Sequence, residues 1–210
     1  MSRILITSGP TREYLDPVRY LSNASSGRMG AALAEAAIRA GHEVVLVSGP
    51  VEIEYPSGSQ VVRVVSTREM LSACREYFVE CDGLIATAAP CDYGPAEVSD
   101  HKLEKSGERL PLELIETPDI AAALGREKGH RWIVCFALET RAVYARAARK
   151  LRRKNGDLIV INGPEAISRP STCVEVMAPD EEIVGRFEGT KEVVAERLMG
   201  LIEERLIRRL

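Results

Sequence analysis

The stretch RILITSGPTREYLDPVRYLSNASSGRMG, residues 3–30, decides the fold class. Its first six residues contain the continuous apolar run Ile4–Leu5–Ile6, which predicts a buried β-strand. From residue 28 to residue 39 apolar side chains recur at helical spacing, and a glycine stops the pattern, so an α-helix is predicted there. The polar residues 9–26 between them are predicted to form a long loop. A buried strand that leads through a loop into a helix is typical of an α/β domain.

Further apolar segments predict more strands of the same sheet, with helices between them. Their near-continuous apolar character suits a parallel sheet that is covered on both faces. The predicted strands are 43–49, 59–65, 83–89, 131–137 and 157–161, with an edge strand at 108–115 and a hairpin of 173–177 and 182–187; the predicted helices are 67–81, 118–128, 143–155 and 191–205. The fold class is therefore α/β: a Rossmann-like, doubly wound, mostly parallel sheet with a C-terminal β-hairpin and helix, in a single domain spanning residues 1–210.

The composition excludes several classes of protein. The net charge is −3, so no global field favours nucleic acid or an anionic membrane as a partner. The five cysteines have no CxxC spacing, which argues against a zinc site or a disulfide framework and for a reducing compartment. No signal peptide precedes the first strand and no apolar run approaches membrane-spanning length, so a cytoplasmic protein is expected.

Five small or polar residues directly precede the first helix, although one would suffice to cap it: Ser22, Asn23, Ser25, Ser26 and Gly27. The free N–H groups of a first helical turn and the helix dipole attract an anion. The run is explained either by an anion site or by an N-cap with close helix packing. It is not GxGxxG, so the alternative of a nicotinamide-dependent reductase on this sheet has little support.

Other candidates follow the predicted strands, whose carboxyl ends are where open α/β sheets bind ligands. Asp92, after the fourth strand, suits a metal, a hydroxyl or an amine, and equally an Asx-turn. Phe136, at the end of the fifth, suits the core or stacking on a base. Thr117 is a candidate N-cap and Pro118 a candidate first residue of the next helix.

The run RAARKLRRKN, residues 146–155, is the densest basic segment of the chain. A helical projection predicts a buried stripe with Lys150 and Lys154 at its edge. This placement favours phosphate binding by the two lysines over a uniformly solvated face. Nucleic-acid binding is a further alternative, but the chain is acidic overall and no aromatic residues interleave the run. The stripe itself is predicted to contain Tyr144, Ala147, Ala148 and Leu151, with Arg149, Arg152 and Arg153 pointing further outward.

Taken together, these segments resemble the phosphopantothenoylcysteine synthetase family of coenzyme A biosynthesis. The resemblance lies in TSGPTREYLDPVRYLSNASSGRMG, TPDI, CFALET and KLRRKNGDLIVIN, which occur in the family's order from about Ile4 to Asn162. In many bacteria the synthetase is one half of a bifunctional protein whose other half is a flavin-dependent decarboxylase. Nothing in this chain resembles that flavoprotein half, so a separate decarboxylase is an expected partner.

The resemblance implies a ligase that joins 4′-phosphopantothenate to L-cysteine. Bacterial members typically use CTP and eukaryotic ones ATP, with Mg²⁺ on the triphosphate. The substrate carboxylate attacks the α-phosphate, pyrophosphate leaves and an acyl-cytidylate forms; the cysteine amine then displaces CMP. The family also implies a Rossmann-like homodimer.

Matching positions imply roles for individual residues. Asn23 matches the asparagine that converts the acyl-nucleotide to product, Lys102 the essential lysine of a KxKK loop, and Arg19 an arginine of the same site. Ser25, Ser26 and Gly27 are the implied phosphate-binding residues. The implied nucleotide-binding residues are Ala86, Thr87, Ala88, Asp92, Lys102, Thr117, Pro118, Asp119, Ile120, Phe136, Lys150 and Lys154. Two positions depart from the family pattern. In the lysine loop, KLEK at residues 102–105, Glu104 stands where lysine is expected, and Gly94 stands where arginine is common.

Overall fold

The computed structural model describes residues 1–138, 141–162 and 171–208. It contains an eight-stranded sheet with strand order β12-β11-β10-β9-β6-β1-β4-β5, in which β10 to β5 are parallel and the β11–β12 hairpin is antiparallel. The predicted α/β class, doubly wound and mostly parallel, is confirmed. The strands of this sheet are β1 (Arg3–Ser8), β4 (Glu43–Ser48), β5 (Ser59–Arg63), β6 (Gly83–Ala86), β9 (Trp132–Leu138), β10 (Leu158–Asn162), β11 (Ser171–Met177) and β12 (Ile183–Thr190).

Helices cover both faces of the sheet. The helices are α1 (Arg28–Arg39), α2 (Thr67–Phe78), α3 (Ile120–Arg126), α4 (Val143–Arg153) and α5 (Lys191–Ile202), the last continued by a π-helical segment, Glu203–Ile207. Alternation along the strands divides the core: Ile4 and Ile6 pack in one cluster with α1 and α5, while Leu5 packs in the other with α2, α3 and α4. Within the described residues, none of these helices combines the length and apolar character needed to cross a bilayer.

Two segments predicted as loop or edge strand form small ribbons instead. Residues 9–26 contain the hairpin β2 (Arg12–Asp16) and β3 (Arg19–Ser22). Residues 114–116 do not join the main sheet, since β8 (Leu114–Glu116) pairs with β7 (Tyr93–Pro95). The first ribbon is anchored to the start of α2, where the Glu13 carboxylate accepts hydrogen bonds from the Thr67 N–H and hydroxyl at 2.8 and 2.7 Å. Ser66, not Thr67, caps this helix, and it forms a capping box with Glu69.

Gly30 lets α1 lie directly against β1. A Cβ atom at Gly30 would be 2.2 Å from the Ser8 Oγ and 2.5 Å from the Ser8 Cβ. Gly30→Ala is therefore expected to lower the free energy of unfolding by about 1–3 kcal/mol, because the helix must move away from the strand. Urea unfolding measures the change. Gly200→Ala in α5 is the matched control: a Cβ there meets nothing within 4 Å, so it is expected to stabilise by about 0.5–1 kcal/mol.

Candidate nucleotide-binding site

A cavity of about 580 Å³ lies at the carboxyl ends of the parallel strands. Its floor includes Thr7 of β1, Ala86 of β6 and Phe136 of β9. The chain leaves β1 toward β4 on one side and returns later to β6 on the other, so β1 and β6 flank the topological switch point of the sheet. A crevice at that point is the general ligand position of this fold class.

One wall of the cavity is the loop after β6, which is joined to the segment before α3. The Thr117 N–H donates to the Asp92 carbonyl at 2.9 Å, and the Thr117 hydroxyl donates to the Cys91 carbonyl. Because that hydroxyl is occupied, the prediction of Thr117 as N-cap is wrong. Asp119 caps α3 through the Ala122 N–H at 3.0 Å, and Pro118 lies before the cap rather than in the first turn.

An adjoining wall is cationic and comes mainly from the end of α4. Lys150 and Lys154 line the cavity as the helical projection predicted, and Arg153 and Arg126 line it with them. Arg153 is exposed, as predicted, with 64% of its side-chain surface accessible, and its guanidinium also reaches Asp119 at 2.8 Å. Arg126, at the end of α3, was not predicted as a site residue. The sequence indicated only that it belongs to a helix that begins at the carboxyl edge of the sheet.

Tyr144 does not belong to the buried stripe of α4. Ala147, Ala148 and Leu151 are buried as predicted, whereas Tyr144 is half exposed and its hydroxyl donates to Glu175 at 2.7 Å. The neighbouring β11 strand supplies that carboxylate, and the projection of one helix contains no information about it.

Asp119 links the two walls through its carboxylate. Its Oδ1 lies 2.9 Å from the Lys154 Nζ and its Oδ2 lies 2.8 Å from the Arg153 Nη2. Burial opposes ionisation of this carboxyl, but the Lys154 ammonium, the Ala122 N–H and Arg153 together lower its pKa. The ion pairs therefore stabilise the fold above the ordinary carboxyl pKa, and this contribution is lost as the pH falls and Asp119 becomes protonated.

Two substitutions at Asp119 are expected to separate the stability that comes from helix capping from the stability that comes from its ion pairs. Asparagine is an equally good N-cap, so Asp119→Asn should lose only the ion pairs, and Asp119→Ala should lose about 1 kcal/mol more. The difference between the wild type and Asp119→Asn should shrink from pH 7 to about pH 3, below the ordinary carboxyl pKa, while the difference between the two variants should not. Urea unfolding at the two pH values measures both. Equal stability of the two variants would contradict the capping role.

Two cysteine thiols lie in the cavity wall. Cys91 and Cys135 both line the cavity and both are buried. Burial raises the pKa of Cys135 to about 11 and also raises the pKa of Cys91. Both side chains therefore remain neutral thiols at physiological pH.

Asn23 lies at the rim of the cavity. Its Nδ2 donates to the Pro90 carbonyl at 2.9 Å and to the Ala89 carbonyl at 3.3 Å, and Pro90 lines the cavity. The side-chain amide thereby joins the end of the β2–β3 ribbon to the loop after β6. Two hydrogen bonds to carbonyl groups also identify which atom of the amide is the nitrogen.

The predicted phosphate-binding residues follow Asn23 and start α1. Gly27 is the N-cap in a left-handed conformation, with φ of 73°, and no side chain caps the helix. The Gly27 carbonyl accepts from the Ser8 hydroxyl at 3.1 Å, and Ser8 accepts from the Tyr55 hydroxyl at 3.0 Å. The serines that precede α1 therefore do not cap the helix, and the N–H groups of its first turn remain available for an anion.

Arg19 and the lysine loop lie at the other end of the ribbon. The Arg19 Nε donates to Asp16 at 2.8 Å, and its Nη2 donates to the Leu103 carbonyl. The side chain of Lys102, the residue before Leu103, is exposed and does not line the cavity. Lys102 lies beside the Arg19 end of the ribbon, and Asn23 directly follows its Ser22 end. The strand from Arg19 to Ser22 is about 10 Å long, so the length of the ribbon separates Lys102 from Asn23.

The structure brings most of the predicted nucleotide-binding residues together. Those that line the cavity are Ala86, Ala88, Asp92, Thr117, Pro118, Asp119, Ile120, Phe136, Lys150 and Lys154. Thr87, Lys102, Asn23, Arg19, Ser25, Ser26 and Gly27 lie outside its lining. Of the motif CFALET, residues 139 and 140 lie outside the described residues.

Comparison with known proteins identifies the family. The model of the DNA/pantothenate metabolism flavoprotein C-terminal domain matches residues 1–206. The chain belongs to this family. Similar members include the coenzyme A biosynthesis bifunctional protein CoaBC of Bacillus subtilis (strain 168), 44% identical over 164 residues, which are 78% of this chain and 40% of that protein. The Escherichia coli (strain K12) CoaBC is 44% identical over 172 residues, 80% of this chain and 42% of that protein.

Solved structures of the family share the fold. The C-terminal domain of a CoaBC protein superposes with a TM-score of 0.83 at 39% identity, covering 97% of this chain and 95% of that one. The DNA/pantothenate metabolism flavoprotein from Streptococcus pneumoniae superposes with a TM-score of 0.84 at 23% identity, covering 97% and 99%. The chain therefore spans about two fifths of the length of these two curated CoaBC proteins and nearly all of the solved domain.

Proposed function

We propose that this protein is a phosphopantothenate–cysteine ligase of coenzyme A biosynthesis that uses CTP. The observation that carries the proposal is the cavity at the switch point, where an aromatic side chain, four cations and the Asn23 rim meet. An aromatic wall suits a base, and lysine and arginine side chains suit the charge of a triphosphate. The relatives named for coenzyme A biosynthesis support the same chemistry.

The proposed reaction has two steps. A carboxylate oxygen of 4′-phosphopantothenate attacks the α-phosphorus of CTP, and the bond to pyrophosphate breaks. The amine of L-cysteine then attacks the acyl carbon of the acyl-cytidylate, the bond from that carbon to the phosphate oxygen breaks, and CMP leaves as the amine loses a proton. Cations offset the charge that develops in the first step, and a hydrogen-bond donor is needed at the acyl oxygen in the second.

Asn23 is the proposed donor for the second step. Its shorter hydrogen bond, 2.9 Å to the Pro90 carbonyl, holds the amide at the rim. The contact to the Ala89 carbonyl is longer, at 3.3 Å. The second Nδ2 hydrogen is therefore the one we expect to turn toward the oxyanion when substrate is bound.

A magnesium ion is proposed to arrive on the triphosphate. Among the described residues no three histidine, cysteine or acidic side chains are grouped to hold a metal by themselves. This fits Mg²⁺, which binds through one or two carboxylates together with substrate phosphates. Asp119 is paired with Lys154 and Arg153, which leaves two exposed carboxylates in the cavity wall for the ion, Asp92 and Glu116. Bound there, Mg²⁺ would neutralise phosphate charge.

A homodimer and a separate flavin-dependent decarboxylase are proposed as partners. Support for the dimer comes from the β7–β8 ribbon and its flanks, which expose several large apolar side chains: Tyr93, Val98, Leu110, Leu112, Leu114 and Ile115. Contiguous exposed apolar surface is typical of an interface. Sedimentation equilibrium tests the dimer, and a monomer at micromolar concentration would contradict it.

The two alternatives fit the site less well. For nucleic-acid binding, the basic helix would need free cations, but Arg152 pairs with Glu181, and Arg153 and Lys154 pair with Asp119. For a reductase, the sequence lacks the glycine fingerprint at the end of β1. Salt-sensitive RNA or DNA binding, or tight NADPH binding without CTP binding, would favour them.

The experiment is a direct assay. The protein is mixed with Mg²⁺, 4′-phosphopantothenate, L-cysteine and either CTP or ATP, and the ligated product, pyrophosphate and nucleoside monophosphate are followed. We expect product with CTP, and thermal stabilisation by CTP above that by ATP, GTP or UTP, since a ligand that binds the native state raises its stability. No product with either CTP or ATP would overturn the proposed function.

A further inference from the structure

Asp16 is a fully buried carboxylate at the turn of the β2–β3 ribbon. Its Oδ1 accepts the Val18 and Arg19 N–H groups, each at 2.9 Å. Its Oδ2 accepts the Arg19 Nε at 2.8 Å and the Leu103 N–H at 3.1 Å. Both oxygens of one side chain are therefore saturated, and one of the donors comes from 87 residues further along the chain.

The lysine loop is attached to the ribbon on both sides of Lys102. The Ser99 N–H donates to the Leu15 carbonyl at 3.0 Å. Leu103 is held twice, because its N–H donates to Asp16 and its carbonyl accepts from the Arg19 Nη2. The backbone of Lys102 thus lies between two fixed points, while its side chain is exposed.

The turn by itself does not require this arrangement. An exposed aspartate closes such a turn with the two local N–H groups alone. Burying a carboxylate is unfavourable unless its charge is compensated. Here burial opposes ionisation, but the N–H groups of Val18 and Leu103 and the Arg19 side chain and N–H lower the Asp16 pKa to about 2. The carboxylate is ionised throughout the physiological range, and the donors from the lysine loop are part of what keeps it so.

We propose that Asp16 is a positioning residue that sets the location of Lys102 in the ligase reaction. Arg19 acts with it, through the Leu103 carbonyl rather than by contact with substrate. The inference rests on the proposed function for its catalytic consequence, whereas the attachment of the loop is independent of the reaction.

The test is Asp16→Asn in the full chain. Each carboxylate oxygen accepts two donors, so either orientation of an asparagine side chain sets its NH₂ group against N–H donors. We expect trypsin to cleave after Lys102 on the order of tenfold faster, because local opening exposes the loop. Pyrophosphate release should fall by between about 10- and 100-fold, as misplaced catalytic groups do. Transfer to cysteine from acyl-nucleotide made in advance should stay near the wild-type rate.

Two further variants keep the result decisive. Asp100→Asn removes the same charge from an exposed side chain in the same loop, and it should match the wild type in both assays. Arg19→Lys serves if Asp16→Asn does not fold. A lysine keeps the charge, but its single ammonium lacks the separate Nε donor of the guanidinium fork, so it cannot reproduce all the bonds that Arg19 makes to Asp16 and the Leu103 carbonyl. Intermediate trypsin sensitivity and intermediate pyrophosphate release are expected.

The outcomes separate the two hypotheses. Wild-type rates of both cleavage and pyrophosphate release in a folded Asp16→Asn or Arg19→Lys protein would overturn the positioning role. Faster cleavage with unchanged pyrophosphate release would overturn it as well, since the loop would then be free without effect on the chemistry. A wild-type enzyme that makes no product would overturn the proposed function and with it the effect of Asp16 on the reaction, while faster cleavage in the variants would still establish the attachment.

Discussion

Asn23→Ala is expected to release pyrophosphate but to ligate cysteine roughly 10²- to 10³-fold more slowly than the wild type. Loss of one donor to a developing oxyanion has an effect of this size, about 3 kcal/mol or more in the activation free energy. The acyl-nucleotide should therefore accumulate. Mass spectrometry of the quenched reaction, with separate measurement of pyrophosphate and CMP, gives both rates.

Ser22→Ala is the matched control for Asn23→Ala. It removes a neighbouring hydrogen bond of the ribbon, from the Ser22 hydroxyl to the Thr11 carbonyl at 2.8 Å, and leaves the amide in place. It should retain both steps. Equal slowing of both steps in Asn23→Ala would mean that the amide only holds the loop after β6 through Ala89 and Pro90.

Lys102→Ala is expected to lose pyrophosphate release itself, by about 10²-fold or more. A cation near the triphosphate offsets charge that builds up as the α-phosphorus is attacked, and the effect belongs to the first step. Single-turnover pyrophosphate release measures it. Arg109→Ala, which removes an exposed cation from the same long loop, should behave as the wild type.

The two substitutions together test the division of roles. Asn23 and Lys102 lie at opposite ends of the β2–β3 ribbon, so their effects should fall on different steps. Accumulation of acyl-nucleotide in both variants, or in neither, would show that this division is wrong.

The residue pattern predicted the strands of the main sheet and the helices that cover it. Helix α1 begins and ends at the predicted residues, Arg28 and Arg39, because its apolar stripe and its glycine stop are local signals. The β2–β3 ribbon was missed for the opposite reason. Its strands carry charged residues without clean alternation, and they are held by Glu13, Asp16 and Ser99 through bonds to distant segments.

In the candidate site, too, local patterns predicted some residues correctly, whereas others depend on contacts with distant segments. Phe136, Lys150 and Lys154 were placed correctly because strand order and helical projection determine which edge they reach. The cap of α3 was assigned to Thr117 because several residues suited that position. The choice of Asp119 depends on the Cys91 carbonyl, which occupies the Thr117 hydroxyl, and on Lys154 and Arg153, which compensate the carboxylate.

By itself the sequence determined the α/β class, the parallel sheet and the edge at which most of the predicted nucleotide-binding residues collect. These depend on hydrophobic periodicity, which is a property of neighbours in the chain. Only the tertiary structure decided that Asp16 and Leu103 meet, that Arg19 bonds the lysine loop and that Arg153 turns back to Asp119. Those contacts join groups 34 to 87 residues apart, and each pairs a charged side chain with a donor or an acceptor that no local pattern specifies.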